Sequence, residues 1–120
     1  MSTSQQLVLA RDYAERIDGL GPVSVHRYFA GASLRAGGVQ FAFVMKGILY
    51  LKADEESRPA FETRGSAPFS YRGNAGAVTV AAYYEAPVEI LEDDDLFSAW
   101  AADAMRAAVS SAPKTNRTVS

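Results

Sequence analysis

Few side chains in this sequence of 120 residues are of the types that carry out chemistry. It contains one histidine, His26, and no cysteine, which excludes thiol catalysis, disulfides and cysteine-ligated zinc. No serine lies in a Gly-x-Ser-x-Gly sequence, and there is neither a Walker loop nor a Gly-x-Gly-x-x-Gly run. We therefore interpret His26 as a surface residue of a strand. We expect no catalytic residue, no bound metal and no cofactor, and hence a protein that is not an enzyme.

Carboxylates concentrate in the last third of the chain. No Lys or Arg occurs between Arg72 and Arg106, while Asp and Glu residues accumulate there. The run Asp93-Asp94-Asp95 precedes an apolar helical pattern, where acidic side chains cap free N–H groups and complement the helix dipole. We interpret the run as a helix cap rather than as paired catalytic carboxylates or a Mg²⁺ site. An acidic docking patch for a basic partner is the functional alternative.

Cationic and tyrosine side chains on the predicted strands form the candidate binding surface. These residues are Arg27, Tyr28, Arg35, Tyr50, Lys52, Arg72, Tyr83 and Tyr84. The cations could attract an acidic partner, and the tyrosines could stack on planar groups. A structural role, as edge-strand cations and half-buried tyrosines, is the competing interpretation. The net charge of −2 disfavours a nucleic-acid-binding protein, so we do not expect nucleic acid to be bound directly.

Hydrophobic spacing and turn residues predict the elements that position these side chains. We expect a helix over 4–19, strands over 23–29, 33–36, 39–45 and 48–53, a short helix over 59–64, strands over 68–72 and 77–84, and a helix from 93 to about 110. Gly37-Gly38 and Lys46-Gly47 predict tight hairpin turns. The fold class is therefore α+β with an antiparallel sheet, and three or four strands precede the short helix.

The predicted strands are apolar on both faces. In the strand over 39–45, Phe41, Phe43 and Met45 alternate on one side, and Ala42 and Val44 lie on the other. An antiparallel sheet with one face in water should alternate more cleanly between apolar and polar residues. We therefore expect a homodimer in which a second copy covers one face. A monomer that wraps its helices around both faces is the alternative.

Short motifs follow one another in a specific order between Val23 and Ala108. They are Arg27-Tyr28-Phe29-Ala30-Gly31, Phe41-Ala42-Phe43-Val44, Leu49-Tyr50-Leu51-Lys52-Ala53-Asp54, Phe61 with Gly65, Ala67-Pro68-Phe69-Ser70-Tyr71, Tyr83-Tyr84-Glu85-Ala86-Pro87, and Leu96 with Trp100. In this order and spacing the chain resembles the TfoX/Sxy N-terminal domain family over most of its length. Ala30 departs from the pattern, because the family usually has glycine there.

The resemblance implies a two-layer fold with the order α-β(3)-α-β(2)-α, similar to type III secretion chaperones. It also implies a regulatory role related to natural competence, and it brings no catalytic residues. We expect a TfoX N-terminal-like domain over residues 1–112, a flexible tail over 113–120, and no second domain of the kind that competence regulators carry.

The sequence therefore predicts a non-enzymatic binding or regulatory module that acts by protein–protein contact, as a homodimer and with a further protein partner. The alternative is a sensor of a small ligand or nucleic acid that uses the strand Arg, Lys and Tyr side chains. No apolar run approaches the roughly 18 residues of a membrane span. The first residues also lack the basic start and apolar stretch of a signal peptide. We expect no membrane association and a cytoplasmic location.

Overall fold

A computed structural model of the chain describes residues 2–111. It begins with helix α1 (Thr3–Arg16), which is followed by strands β1 (Val23–Tyr28), β2 (Gly31–Ala36), β3 (Val39–Met45) and β4 (Ile48–Lys52). The short helix α2 (Arg58–Thr63) leads to strands β5 (Pro68–Gly73) and β6 (Gly76–Glu85). Helices α3 (Val88–Leu91) and α4 (Asp94–Ser111) complete the described part.

The α+β class with an antiparallel sheet is confirmed. The six strands lie in the order β1-β2-β3-β4-β6-β5, and each neighbouring pair is antiparallel. The segment expected at 33–36 is a longer strand that begins at Gly31, so four strands precede α2. The segment between the strand predicted to end at 84 and the helix predicted to begin at 93 contains the short helix α3, which the sequence analysis did not predict. The tail predicted over 113–120 lies outside the described residues.

Local signals for turns and caps are confirmed. Gly37 and Gly38 have φ of +57° and +79°, and Lys46 and Gly47 have φ of +53° and +79°, as two-residue hairpin turns of this type require. At the start of α4, the carboxylate of Asp93 accepts a hydrogen bond from the backbone N–H of Leu96 at 3.0 Å. The acidic run therefore includes a helix cap.

The helices pack against one face of the sheet, and the main hydrophobic core lies between them. The largest fully buried side chains of this core are Phe41, Phe97, Leu34, Leu51, Ile90 and Val44. Alanines of α4 allow the helix to approach the strands closely, since Ala101 and Ala104 are almost completely buried. The face of the sheet opposite the helices is called the open face below.

A β-bulge in β3 overturns the predicted division of its side chains between the two faces. Leu34 of β2 pairs with Ala42 of β3, whereas the next residue, Arg35, pairs with Gln40. Phe41 is therefore the extra residue of the bulge. Phe41 therefore joins the main core, whereas Phe43 is buried outside that core, on the open face. Strict alternation had placed both phenylalanines on the same side, and a bulge breaks that alternation.

The segment after β4 is tied to α4 through a carboxylate–guanidinium contact. Arg106 donates two hydrogen bonds to Asp54, at 2.8 and 3.1 Å, and a third to Asp103 at 2.8 Å. Asp54 also accepts the backbone N–H of Ser57 at 3.0 Å. The side-chain hydrogen bonds from Arg106 hold the pKa of the Asp54 carboxyl well below its ordinary value, against the opposing effect of burial.

We expect Asp54→Asn to lower the free energy of unfolding at pH 7, because the variant loses the charge that Arg106 holds. A carboxyl with a lowered pKa in the folded state stabilises the protein above its ordinary pKa of about 4, and this contribution is lost as pH falls toward the folded pKa. The difference between the native chain and the variant should therefore shrink below about pH 4. Urea unfolding midpoints measured from about pH 7 down to about pH 2.5 check this expectation. Asp12→Asn, at an exposed position of α1, is the control. An equal pH dependence of the unfolding midpoint in both variants would contradict the role assigned to Asp54.

Candidate functional site

An aromatic cluster occupies the middle of the open face. Its centre is Phe43, whose side chain is only 1% exposed although none of the helices within residues 2–111 covers it. Four rings surround it at centroid distances of 4.8–5.2 Å, and they belong to Tyr28, Tyr50, Phe69 and Tyr83. Offset and edge-to-face contacts of this kind are favourable beyond the area they bury. The open face thus has a small core of its own.

Two backbone features bring these rings together. Tyr28 pairs with Gly31 at the start of β2, and its ring lies 5.2 Å from the ring of Phe43 on β3. At the other end of the sheet, Pro68 of β5 pairs with Tyr84 of β6, whereas the next residue, Phe69, pairs with Val80. Three residues of β6 therefore have no partner on β5. This irregularity bends β6 and brings the β5–β6 hairpin over the open face.

The bend leaves a concave space of about 440 Å³ beside the cluster, called the aromatic cleft. Its lining consists of Tyr28, Phe29, Phe43, Met45, Phe69, Tyr71, Val80 and Tyr83. Sites for small molecules are typically concave, mostly apolar and about 300–1,000 Å³ in volume. The aromatic cleft has the size and the apolar lining of such a site.

Polar side chains gather around Tyr83 at one end of the aromatic cleft. Gln40 donates a hydrogen bond to the Tyr83 hydroxyl at 3.2 Å, and the ammonium of Lys52 lies 5.0 Å from the centre of the Tyr83 ring. Burial raises the pKa of the Tyr83 hydroxyl, whereas the hydrogen bond from Gln40 and the charge of Arg35 act in the opposite direction. Burial also lowers the pKa of Lys52. This end is therefore cationic and partly shielded from water.

Two buried polar atoms on the open face have no hydrogen-bond partner among residues 2–111. They are the hydroxyl of Ser33, a residue that is 0% exposed, and Nε of Arg35. Ser33 pairs with Phe43 across the strands, and Arg35 pairs with Gln40. Buried polar atoms in proteins are nearly always hydrogen-bonded, either to protein groups or to ordered water.

Phe29 stands at the rim of the aromatic cleft in an unusual conformation. Its φ is +53°, which is rare for a residue other than glycine, and its side chain is 86% exposed. The ring contacts Tyr28 edge-on at a centroid distance of 4.8 Å. The positive φ is typical of a two-residue hairpin turn, as at Lys46, whereas the exposed ring is available for contact with another molecule.

The structure brings together five of the eight residues that the sequence singled out as a binding surface. Tyr28, Arg35, Tyr50, Lys52 and Tyr83 all lie on the open face.

The other three residues of that surface lie elsewhere. Arg27 pairs with Ala32, which belongs to the helix-covered face. Tyr84 is buried, stacks on Phe61 and donates its hydroxyl proton to Glu62 at 2.9 Å. Arg72 follows Tyr71 on β5, and successive residues of a strand point to opposite faces. The candidate surface is therefore smaller than the one predicted.

Sequence reasoning missed most of the apolar lining of the aromatic cleft. The residues it left out of the binding surface are Phe29, Phe43, Met45, Phe69, Tyr71 and Val80. A signal was present in β5, where Phe69 and Tyr71 alternate with the polar residues Ser70 and Arg72. No comparable signal pointed to Val80, because its orientation depends on the bend in β6.

The residues considered for metal binding and catalysis are placed as follows. His26 is exposed on β1, and its Nε2 lies 2.9 Å from the hydroxyl of Ser24. Within residues 2–111, no three His, Cys, Asp or Glu side chains come together in an arrangement that could hold a metal ion. Over the same range, no helix has both the length and the apolar character needed to cross a membrane.

A comparison with known protein families covers the residues of the aromatic cleft. Residues 15–108 match the family described as the TfoX N-terminal domain. The chain belongs to that family. The matched part of this TfoX N-terminal domain extends from α1 to α4 and so contains all six strands and every residue of the aromatic cleft. A search of curated proteins finds no match.

Proposed function

We propose that this TfoX N-terminal domain is a non-enzymatic regulatory module that acts by protein–protein contact through its open face. Membership of the family supports a regulatory or competence-related domain. The observation that carries the proposal is the apolar open face itself, because the helices pack against the opposite face only. The proposal places the module in the cytoplasm, with protein rather than nucleic acid as its direct partner.

Exposed apolar side chains surround the aromatic cleft and support a contact with another protein. Phe29 is 86% exposed, Tyr71 is 51% exposed, and Ile48 and Val78 are also more than a third exposed. All four lie on the open face, because Ile48 pairs with Met45 and Val78 pairs with Tyr71. Phe29 and Tyr71 also line the aromatic cleft together, and grouped exposed apolar side chains are typical of interaction sites.

A second copy of the chain is the simplest partner for this face. Covering the open face with an identical face would remove the exposed rings of both copies from water, as in an isologous dimer. The homodimer is therefore part of the proposal, and a further protein partner would use the same surface or displace the second copy.

Sedimentation equilibrium tests this contact. We expect the native chain to form a dimer at high micromolar concentration, and Phe29→Ser or Tyr71→Ser to shift it to monomer, because each variant removes an exposed ring from the contact. Val8→Ser is the matched control, since Val8 is 56% exposed on α1 in the helix layer. A native chain that stays monomeric at these concentrations would rule out the homodimer, and equal effects of all three substitutions would rule out the open face as the contact.

A specific observation favours a second candidate function, the sensing of a small ligand. The aromatic cleft has the volume and the apolar lining of a ligand site. A ligand held in the cleft would lie beneath the exposed rim, where it could alter the protein contact.

A further inference from the structure

A contact between two copies through the open face has to extend across the aromatic cleft. Six strands about 4.8 Å apart, each about six residues long with a rise of about 3.3 Å per residue, give a flat area of roughly 500 Å². A stable interface buries about 800 Å² of accessible surface on each partner. Side chains make the accessible area of a sheet face larger than its flat area, but the contact still needs most of the open face.

An empty cleft would be a void inside such a contact. The cores of interfaces pack as densely as protein interiors, so the space of about 440 Å³ has to be filled. In an isologous dimer, the group that fills it comes from the same face of the other copy. The contact therefore requires an apolar side chain that projects from the open face.

Phe29 meets this requirement. It is 86% exposed, which is more than any other large hydrophobic side chain within residues 2–111. It lies in the turn between β1 and β2, at the rim of the aromatic cleft. The residues that line the cleft are aromatic or aliphatic, and none of them is acidic or basic. A phenyl ring that enters the cleft can therefore form the edge-to-face and offset contacts that aromatic rings favour.

The cations of the open face lie away from this turn. Gly31 follows the turn, and Arg35 lies four residues farther along β2, which corresponds to about 13 Å. Lys52 ends β4, at a similar distance from Ile48 at the start of that strand. A two-fold axis beside Phe29 therefore separates the cations of the two copies by more than the Debye length of about 8 Å. Repulsion between like charges does not oppose an approach at this end of the face.

We propose that two copies of the chain exchange Phe29, so that the ring of each copy enters the aromatic cleft of the other. The inference deepens the proposed function and rests on it for the existence of the homodimer. It adds the residue that each copy inserts and the site that receives it. Because Phe29 also lines the rim of its own cleft, the two Phe29 rings come together beside the two-fold axis.

Two single substitutions test the insertion from opposite sides. Phe29→Ala removes the inserted ring, and Val80→Phe fills the cleft that receives it. Each should raise the dissociation constant of the dimer about tenfold or more in sedimentation equilibrium. Val8→Phe adds the same ring at an exposed position of α1, outside the contact, and should leave the constant unchanged. Circular dichroism checks that each variant is folded, and Met45→Phe replaces Val80→Phe if that variant is not.

A mixture of the two variants is the decisive measurement. In the mixed dimer, the remaining Phe29 enters the cleft that is still open, and the filled cleft faces the copy that has no ring to insert. An equimolar mixture of Phe29→Ala and Val80→Phe should therefore dimerise about tenfold more tightly than either variant alone. Independent effects of the two substitutions would give a mixed dimer of intermediate affinity, and this result would overturn the inference.

Sedimentation of the native chain separates failure of the insertion from failure of the proposed function. A native chain that stays monomeric contradicts the homodimer and the insertion together. A dimer that Tyr71→Ser dissociates but that Val80→Phe leaves unchanged contradicts the insertion alone, because a flat contact between open faces does not need an empty cleft.

Discussion

Gly31→Ala is expected to destabilise the domain by about 3–5 kcal/mol, a large part of the roughly 5–15 kcal/mol that stabilises a typical domain. A Cβ atom at this position would lie 2.0 Å from the carbonyl oxygen of Val44, and 3.2 Å from its carbonyl carbon. Both atoms belong to the backbone of β3, in the middle of the sheet, so no side-chain rotation relieves the clash. Either β2 separates from β3 or the turn at Phe29 moves, and both lose hydrogen bonds and the contact of Tyr28 with Phe43.

Urea unfolding followed by fluorescence of Trp100, the only tryptophan, measures this effect. Gly19→Ala is the control, because Gly19 has φ of +95° and a Cβ atom there would have no neighbouring atom within 4 Å. That substitution adds only backbone strain and should cost about 1 kcal/mol. If both variants lost the same stability, close approach between β2 and β3 would not be the reason for glycine at position 31.

Phe43→Ala should cost about 3–5 kcal/mol, which is the usual range for removing a buried phenylalanine. The loss is large although the residue lies on the face without helices, because four rings pack around Phe43 and none of them can fill the space alone. The variant should also lose much of the near-ultraviolet circular dichroism signal of the surrounding tyrosines, since their rings become free to reorient.

The control for this effect is Tyr71→Ala, on the same face and half exposed. It should cost about 1 kcal/mol or less, as expected for a surface position outside the packed centre. Comparable losses in the two variants would mean that the aromatic cluster is a surface patch and not a packed unit. Unchanged stability in Phe43→Ala would lead to the same conclusion.

The features that the sequence predicted correctly depend on residues that lie close together in the sequence. Gly37-Gly38 and Lys46-Gly47 form the expected hairpin turns, because few residue pairs adopt positive φ at both positions. Asp93 caps α4 because its carboxylate reaches an N–H three residues away. The order of short motifs predicted the family.

The candidate site was predicted only in part, and the errors share one cause. Tyr28, Tyr50 and Tyr83 were grouped correctly because each lies in a regular stretch of strand. Tyr84 was grouped with them as a tyrosine on a predicted strand, but the next residue of a strand faces the opposite layer, where it is buried. Residue type alone therefore did not separate a surface tyrosine from a core tyrosine.

The sequence by itself determined the fold class, the turns, the caps and the family of this protein, because these depend on short-range geometry and on the order of motifs. Only the tertiary structure decided which side chains share the open face. The bulge at Phe41 and the bend in β6 each break the alternation of a strand, and both lie within hairpins whose two strands differ in length, β2–β3 and β5–β6. The aromatic cleft exists because of these two irregularities, since they direct Phe43 and Val80 to the same side of the sheet.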